Sequence, residues 1–332
     1  MSSCPPFDHL VVVPHLRVQN ANAVSSPLTH GFPSITAFLG LMWALERKAR
    51  IAGLDLAFNA VGVVCHDHQE QVTEGGFVKS FRLTRNPVNK DGGTAAIVEE
   101  GRIHLELSLV FAVHSMRWLG DPTTHAADLA VVTDLLAGMR VAGGSVLPST
   151  HGWRPRHQAQ VIACTGTPSD QQALFRKLRL RLLPGFALVA RDDLLGTRLA
   201  ELQEHTPQEH TPEATGLHAW LSLSRINWRH VPDAAAGKGE WQHDRSGRGW
   251  IVPIPVGYGA LGAVHKAGSV ANARDANTPF RFVESLYSVG EWISPHRLQT
   301  PHHLLWYADS QPAADLYRCR NDYRPATTHH FD

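Results

Sequence analysis

Side chains that bind metals, move protons or hold phosphates are the ones that do chemistry, and this chain offers candidates for each task. The densest group of metal-ligand types is Cys65-His66-Asp67-His68. Zinc takes four ligands, as a rule from two separated clusters. The nearest partner for the first cluster is His302-His303 and no second Cys/His pair completes a set, so the spacing assigns no metal and no cofactor. The acids Glu99 and Glu100 are adjacent just before a strand-like run, and neighbours in a strand point to opposite faces, which makes them a poor acid–base couple. No serine sits in GxSxG and no cysteine has a basic partner nearby in sequence. Neither a GxxxxGK[ST] loop nor a GxGxxG between strand and helix occurs. A nuclease centred on one metal-bound carboxylate stays open at this level.

Three basic groups carry a different chemistry. Arg82, Arg85, Lys90 and Arg102 form the first, interleaved with Asn86, Asn89 and the breaker pair Gly92-Gly93. Arg176, Lys177, Arg179 and Arg181 gather within six positions without an acid, and Asn272, Arg274 and Arg281 form the third. Asn20 and Asn22 stand in another polar stretch, while Trp153, Arg154 and Arg156 follow a glycine turn and offer a stacking ring with phosphate contacts. Each group alone reads as a solvated helix face or ordinary turn polarity. Taken jointly, beside an open-faced sheet, they point to RNA, which proteins hold through phosphates, splayed bases and shape. That is the chemistry of binding, not of turnover.

The elements that must position these residues follow from hydrophobic periodicity. Between Arg102 and Val113, Ile103, Leu105, Leu107, Leu109 and Phe111 alternate with Arg102, His104, Glu106 and Ser108, the period of a long half-buried strand. Its N-terminal side, from Lys79, is a long basic loop. His9–Val18 reads as a strand in which Pro14 marks a bulge or an edge. Ser34 caps a helix striped by Ile35, Phe38, Leu39, Met42 and Leu45 and closed by Arg47, Lys48 and Arg50. Leu54–Cys65 is a second strand, a helix runs from Asp121 to Met139, and Ala159–Gly166 is a short strand after the turn 142–148. Strand, helix, strand, strand, helix, strand is the split βαβ unit, so the expected class is α+β with a ferredoxin-like (RRM-like) core whose sheet carries helices on one face and a ligand on the other.

Beyond the core, Ser169 is expected to cap a short helix, Pro184-Gly185 to turn into the strand Phe186–Arg191, and Leu194–Leu202 to be helical. Gly216–Arg229 reads as a helix and Pro232–Gly249 as a loop. Trp250–Leu261 is a strand whose Pro253 and Pro255 exclude a central ladder position. Residues beyond Pro325 are expected to fray. With 332 residues, 43% hydrophobic and 18% charged, the chain can bury a sizeable core. Its net charge of +1 is no electrostatic footprint, although 25 arginines against 6 lysines fit either phosphate recognition or codon bias. The cysteines at positions 4, 65, 164 and 319 are far apart and read as reduced cytoplasmic thiols; no apolar run is long enough to span a bilayer. Nine tryptophans exceed what a minimal core needs and suit a protein interface.

Long motifs now tie the chain to a family. QNANAVSSPLTHGFPSITAFLG (19–40), FRLTRNPVNKDGGTAAIVEEGRIHLELSL (81–109), MRVAGGSVLP (139–148), LRLRLLPGFALVAR (178–191), WIVPIPVGY (250–258), NARD..TPFRFVESL (272–286) and GEWISPHR (290–297) resemble the Csy second subunits, Cas-five-like members of type I-F CRISPR surveillance complexes in the RAMP superfamily. The resemblance implies a non-catalytic subunit with a ferredoxin-like core over 1–192, a basic thumb inserted around 66–102, and a C-terminal elaboration over 193–325. It implies that the subunit pairs with the large Csy first subunit and holds the 5′ handle of the CRISPR RNA beside a Cas-seven-like backbone subunit. Target DNA is then met through the assembled complex, where base pairing reads sequence. Carried over, Asn20 and Asn22 are handle contacts, Arg85–Gly93 with Arg102 the RNA-facing thumb, and Arg179 and Arg181 phosphate contacts, with Arg274 and Arg281 beside them. Two other readings stand: an RNA-processing endoribonuclease using His104 or His151, and a structural adaptor without RNA contacts.

Overall fold

Val11 and Val13 face one apolar cluster and Leu10 and Val12 face another, so strand β1 (His9–Asn22) begins as the centre of a sheet buried on both sides. The structure, a computed structural model, describes residues 3–76, 78–85, 87–89, 91–149, 151–204, 213–232, 239–273 and 275–325. Asn86, Lys90, Arg274 and the tail 326–332 lie outside the described residues.

After β1 come two short paired strands, β2 (Val24–Ser26) and β3 (Thr29–His30), and helix α1 (Ile35–Ile51). The Ser34 hydroxyl accepts from the Thr36 N–H at 3.3 Å, the expected stripe is buried, and Lys48 and Arg50 occupy the last turn. Strand β4 (Ala57–Glu70) leads into β5 (Val72–Gly75), β6 (Val78–Arg85) and β7 (Ile97–Glu100), a three-stranded sheet of its own. The basic stretch read as a loop is therefore largely a folded β-sheet. Strand β8 (Arg102–His114) follows, with Ile103, Leu105, Leu107, Leu109 and Phe111 all at most 4% exposed.

A short helix α2 (Met116–Gly120) precedes α3 (His125–Ala137). Asp121 caps the intervening 3-10 turn, so α3 starts four residues later than expected. Strands β9 (Arg140–Val141) and β10 (Gly144–Leu147) form a tight turn in which a Cβ on Gly144 would lie 2.6 Å from the Ala21 nitrogen. Strand β11 (Gln160–Ala163) leads to α4 (Pro168–Arg181). Thr167, not Ser169, caps α4: its hydroxyl accepts from the Asp170 N–H while the Asp170 carboxylate accepts from the Thr167 N–H, and Pro168 takes the first helical position.

The remaining elements are β12 (Phe186–Ala190), α5 (Asp192–Glu204), α6 (Gly216–Leu223), β13 (Trp228–Val231), β14 (Glu240–His243), β15 (Trp250–Ala260), β16 (Val283–Ile293), α7 (Pro301–Leu304), β17 (Leu305–Gln311) and β18 (Leu316–Asn321). Two expectations fail here. The helix from Gly216 stops at Leu223, and Trp228–Val231, starting within the presumed helix, pairs with Glu240–His243 of the presumed loop as a hairpin. Trp228 and His230 alternate in step with Trp241 and His243 on one face, and Asn227 bonded to Asp244 clamps the root.

Among the described residues eleven strands form one sheet, ordered β12-β16-β15-β18-β17-β4-β8-β1-β10-β9 with β11 also on β1. On one face α1 and α3 pack over Val61, Leu107, Leu109 and Phe111. The opposite face, expected to be open, is covered at one end, where Phe175 and Leu178 of α4, its C-cap Leu182, and Ile293, Leu298 and Leu304 seal Leu10, Val12, Val110 and Ala112. Each such side chain contributes roughly 1.5–3 kcal/mol by burial. Only the polar half of that face stays accessible. Pro14 falls in the gap between β11 and β10, where β1 has no second ladder. Pro253 and Pro255 likewise lie where β15 meets β16 alone, because β18 joins only at Gly257–Gly259. Among the described residues no helix is long and apolar enough to cross a membrane.

Candidate nucleic-acid interface

The open half of the sheet face is a polar trough. Its floor is the outward row of β8, His104 and Glu106, flanked by Arg17 and Gln19 of β1 and by Asp67 and Gln69 of β4. One cavity here measures about 260 Å³. A second, about 310 Å³, shares Arg17, Asp67 and Glu106 with it and is walled by His151, Arg154, Arg156 and His157. Arg17 reaches this face because of a bulge. Between Val13 and Leu16, β1 spends one residue more than β8, and between Val18 and Ala21 it does so again. The residues inside the bulges, His15 (φ +52°) and Asn20 (φ +57°), take the left-handed conformation that His and Asn tolerate better than most.

Where the trough meets α4, four imidazoles gather. His15 stacks on His66 (4.2 Å between ring centres, 22° apart) and on His157 (4.0 Å, 21°), and His157 leans on His151 at 5.5 Å. The His66 Nδ1–H donates to the Pro184 carbonyl at 2.6 Å, which leaves Nε2 to accept from the Ser108 hydroxyl at 2.6 Å. Ser108 in turn accepts from the His15 N–H at 3.2 Å. His15 Nδ1 lies 2.5 Å from the Glu106 carboxylate. Burial, and then the nearby His15, hold the His66 imidazole below its ordinary range, against the pull of the Pro184 carbonyl. His157 is lowered by burial and by the neighbouring His15 and Arg156. A serine hydrogen-bonded to a histidine is a nucleophile only if substrate reaches it, and Ser108 is fully buried.

The sequence-predicted residues divide by what their side chains already hold. The Asn20 N–H donates to His104 Nδ1 at 3.1 Å and its Oδ1 accepts from Gln71, whose amide also lies 2.7 Å from His104 Nε2. Both ring nitrogens of His104 are thus engaged. Asn22 closes on the backbone of Val24 with both ends of its amide. On the small sheet, Arg82 is exposed, Arg85 donates to the Ala95 carbonyl, and Asn89 Oδ1 accepts from the Asp91 and Gly93 N–H groups. Arg102 pairs with Glu100 at 2.7 Å. Trp153 is 73% exposed with the Arg154 guanidinium 5.0 Å from its ring centre. Arg179 donates to the Leu298 carbonyl, and Arg181 donates to Gln160 (2.6 Å) and to the Pro155 carbonyl (2.8 Å), pinning the loop that bears Arg154 and Arg156. Arg281 is held by Gly262 and Asp315.

Sequence reasoning missed His15, Arg17 and His157, and weighed His66 only as a metal ligand. The available signal was the polar pair flanking Leu16 just after Pro14. Within the Cys65–His68 cluster burial pushes the Cys65 thiol up to about 12, and among the described residues no group of three or more His, Cys, Asp or Glu is placed to hold a metal ion. Arg17, Arg154 and Arg156 face the trough without a carboxylate partner among the described residues, against Asp67 and Glu106. Such a surface suits a chain of phosphates with stackable bases.

Comparison with known proteins agrees. Residues 11–319 match the family model described as CRISPR-associated protein (Cas_Csy2). The chain is 45% identical over 318 residues to the CRISPR-associated protein Csy2 of Pseudomonas aeruginosa (strain UCBPP-PA14), covering 93% of this chain and 94% of the relative. With the match running through the trough strands and the C-terminal sheet alike, the chain belongs to the Csy2 family of the type I-F CRISPR system.

Proposed function

We propose that this Csy complex subunit binds the 5′ handle of the CRISPR RNA, together with the large Csy first subunit, as a non-catalytic member of the surveillance complex. The observation that carries this reading is the trough, where Arg17, Arg154 and Arg156, without a carboxylate partner among the described residues, converge on a polar sheet face, with the exposed Trp153 next to Arg154. The pairing order β4-β8-β1-β11, all antiparallel, with α1 and α3 on one face, supports a ferredoxin-like core. The sheet β5-β6-β7 is the thumb, presenting Arg82 and Arg85. Cytoplasmic location, an adjacent Cas-seven-like subunit and contact with target DNA through the assembled complex go with the same reading. Against catalysis stand the double engagement of His104 and the burial of Ser108.

The test is to purify the complex with its RNA, carrying Arg154→Gln and Arg156→Gln in this subunit. RNA retention should fall and its salt dependence flatten by about one unit of slope per lost phosphate contact. Unchanged retention would favour a structural adaptor. Release of a fixed cleavage product from repeat RNA by the isolated chain would favour a nuclease.

A further inference from the structure

The imidazole column has no part in a purely architectural account of the sheet. His66 is fully committed, with Nδ1 to the Pro184 carbonyl and Nε2 to Ser108. His15 gives Nδ1 to Glu106, and its Nε2 has no hydrogen-bond partner among the described residues. It sits in the middle of the stack, in a left-handed conformation, at the wall of the 310 Å³ cavity. Strained non-glycine backbone of this kind persists where the surroundings impose it.

The charges facing the column come from every side. From β1 comes Arg17, from β4 Asp67, and from β8 Glu106; the loop after β10 brings Arg154 and Arg156, with His151 and His157. Without an anion, an added proton meets three guanidiniums and two stacked imidazoles, and only Glu106 and Asp67 favour it. A phosphate placed among Arg154, Arg156 and Arg17 reverses that balance, since an opposite charge within a few ångströms favours the charged imidazole. A cavity of this size accommodates one phosphodiester with part of its nucleoside.

We propose that the column of His66, His15 and His157 is the floor of a subsite for one phosphodiester of the bound nucleic acid, and that filling it draws a proton onto the imidazoles. The proposal rests on the nucleic-acid reading of the trough and adds to it a specific phosphate position and a proton linkage. Burial and neighbouring positive groups lower the proton affinity of His66 and of His157, so at these two rings uptake is tied to binding and does not precede it.

Fluorescence anisotropy of the full chain with a labelled oligouridylate, at constant ionic strength between about pH 5.5 and 8, tests it, because uridine does not titrate in that window while imidazole does. Affinity should weaken by roughly threefold to tenfold as pH rises through it, and calorimetry in two buffers of different ionisation enthalpy should show net proton uptake. His15→Gln and His157→Gln should flatten the profile near its high-pH level; His157 lies at the rim, so its variant keeps the test alive if the first fails to fold. Binding that is tight but independent of pH, or a slope unchanged in both variants, overturns the subsite and leaves the nucleic-acid reading standing. No binding at any pH overturns both.

Discussion

Ser108 shows how few atoms hold the site together. Its hydroxyl joins a strand amide of β1 to an imidazole of β4, and the imidazole reaches on to the Pro184 carbonyl. Ser108→Ala therefore leaves two buried groups without partners, and should cost about 1–3 kcal/mol for each group left unsatisfied, read as a lower urea midpoint at unchanged m. Protonation works against the same cluster. His66 and His157 bind protons more weakly in the fold than in the unfolded chain, so below pH about 6.5 the unfolded state holds more protons and stability drops with falling pH. Thermal midpoints of the RNA-free chain should fall from about pH 7.5 to pH 5.5, and His157→Gln should reduce that fall. Little of this was legible residue by residue. Histidine content is visible in the sequence, but nothing in it says that positions 15, 66 and 157 stack, because two strands and a distant loop bring them together.

At the scale of elements, regular burial was readable and irregular pairing was not. The alternation of β8 and the stripe of α1 each encode one apolar face, and both were found with their faces correct. The hairpin of β13 and β14 escaped because Leu217, Trp220 and Leu221 suggest a helix running on through Trp228. The break follows instead from Asn227, whose side-chain amide bonds Ser222 and Asp244 at the hairpin root. Among the described residues the small sheet of β5, β6 and β7 pairs with no strand of the large one. Replacing residues 72–100 by a short glycine-serine link should leave the cooperative unfolding of the main sheet in place, checked by circular dichroism, while weakening RNA retention. A contrasting change is Gly144→Val, whose side chain would enter the backbone of β1 at Ala21. It should cost about 1–3 kcal/mol or more through overpacking.

For the whole molecule, a net charge of +1 conceals a division of labour. Arg191 with Glu291 and Asp193, Arg198 and Arg248 with Glu201, Arg318 with Asp192 and Arg320 with Asp309 neutralise one another in the C-terminal half. Among the described residues the trough arginines are spared that pairing. Salt should therefore act on binding far more than on folding: three phosphate contacts predict a slope of about −2 in log affinity against log salt, measured by anisotropy, with a melting temperature that moves little. Composition could not reveal this, since it counts charges without saying which are spent. The two bulges of β1 have a consequence of their own for heredity. Each adds a residue that β8 does not match, so the stretch between them is read in the opposite phase from the strand on either side. Losing the extra codon at the first bulge would leave Val18 inward and Arg17 outward, since Val13, Pro14, Leu16, Arg17 and Val18 would then alternate opposite Leu109 to Leu105 without a break. Losing one at each bulge would leave a plain alternating strand in step with β8 from end to end. The strand can thus change length at its two bulges without exchanging the trough for the core.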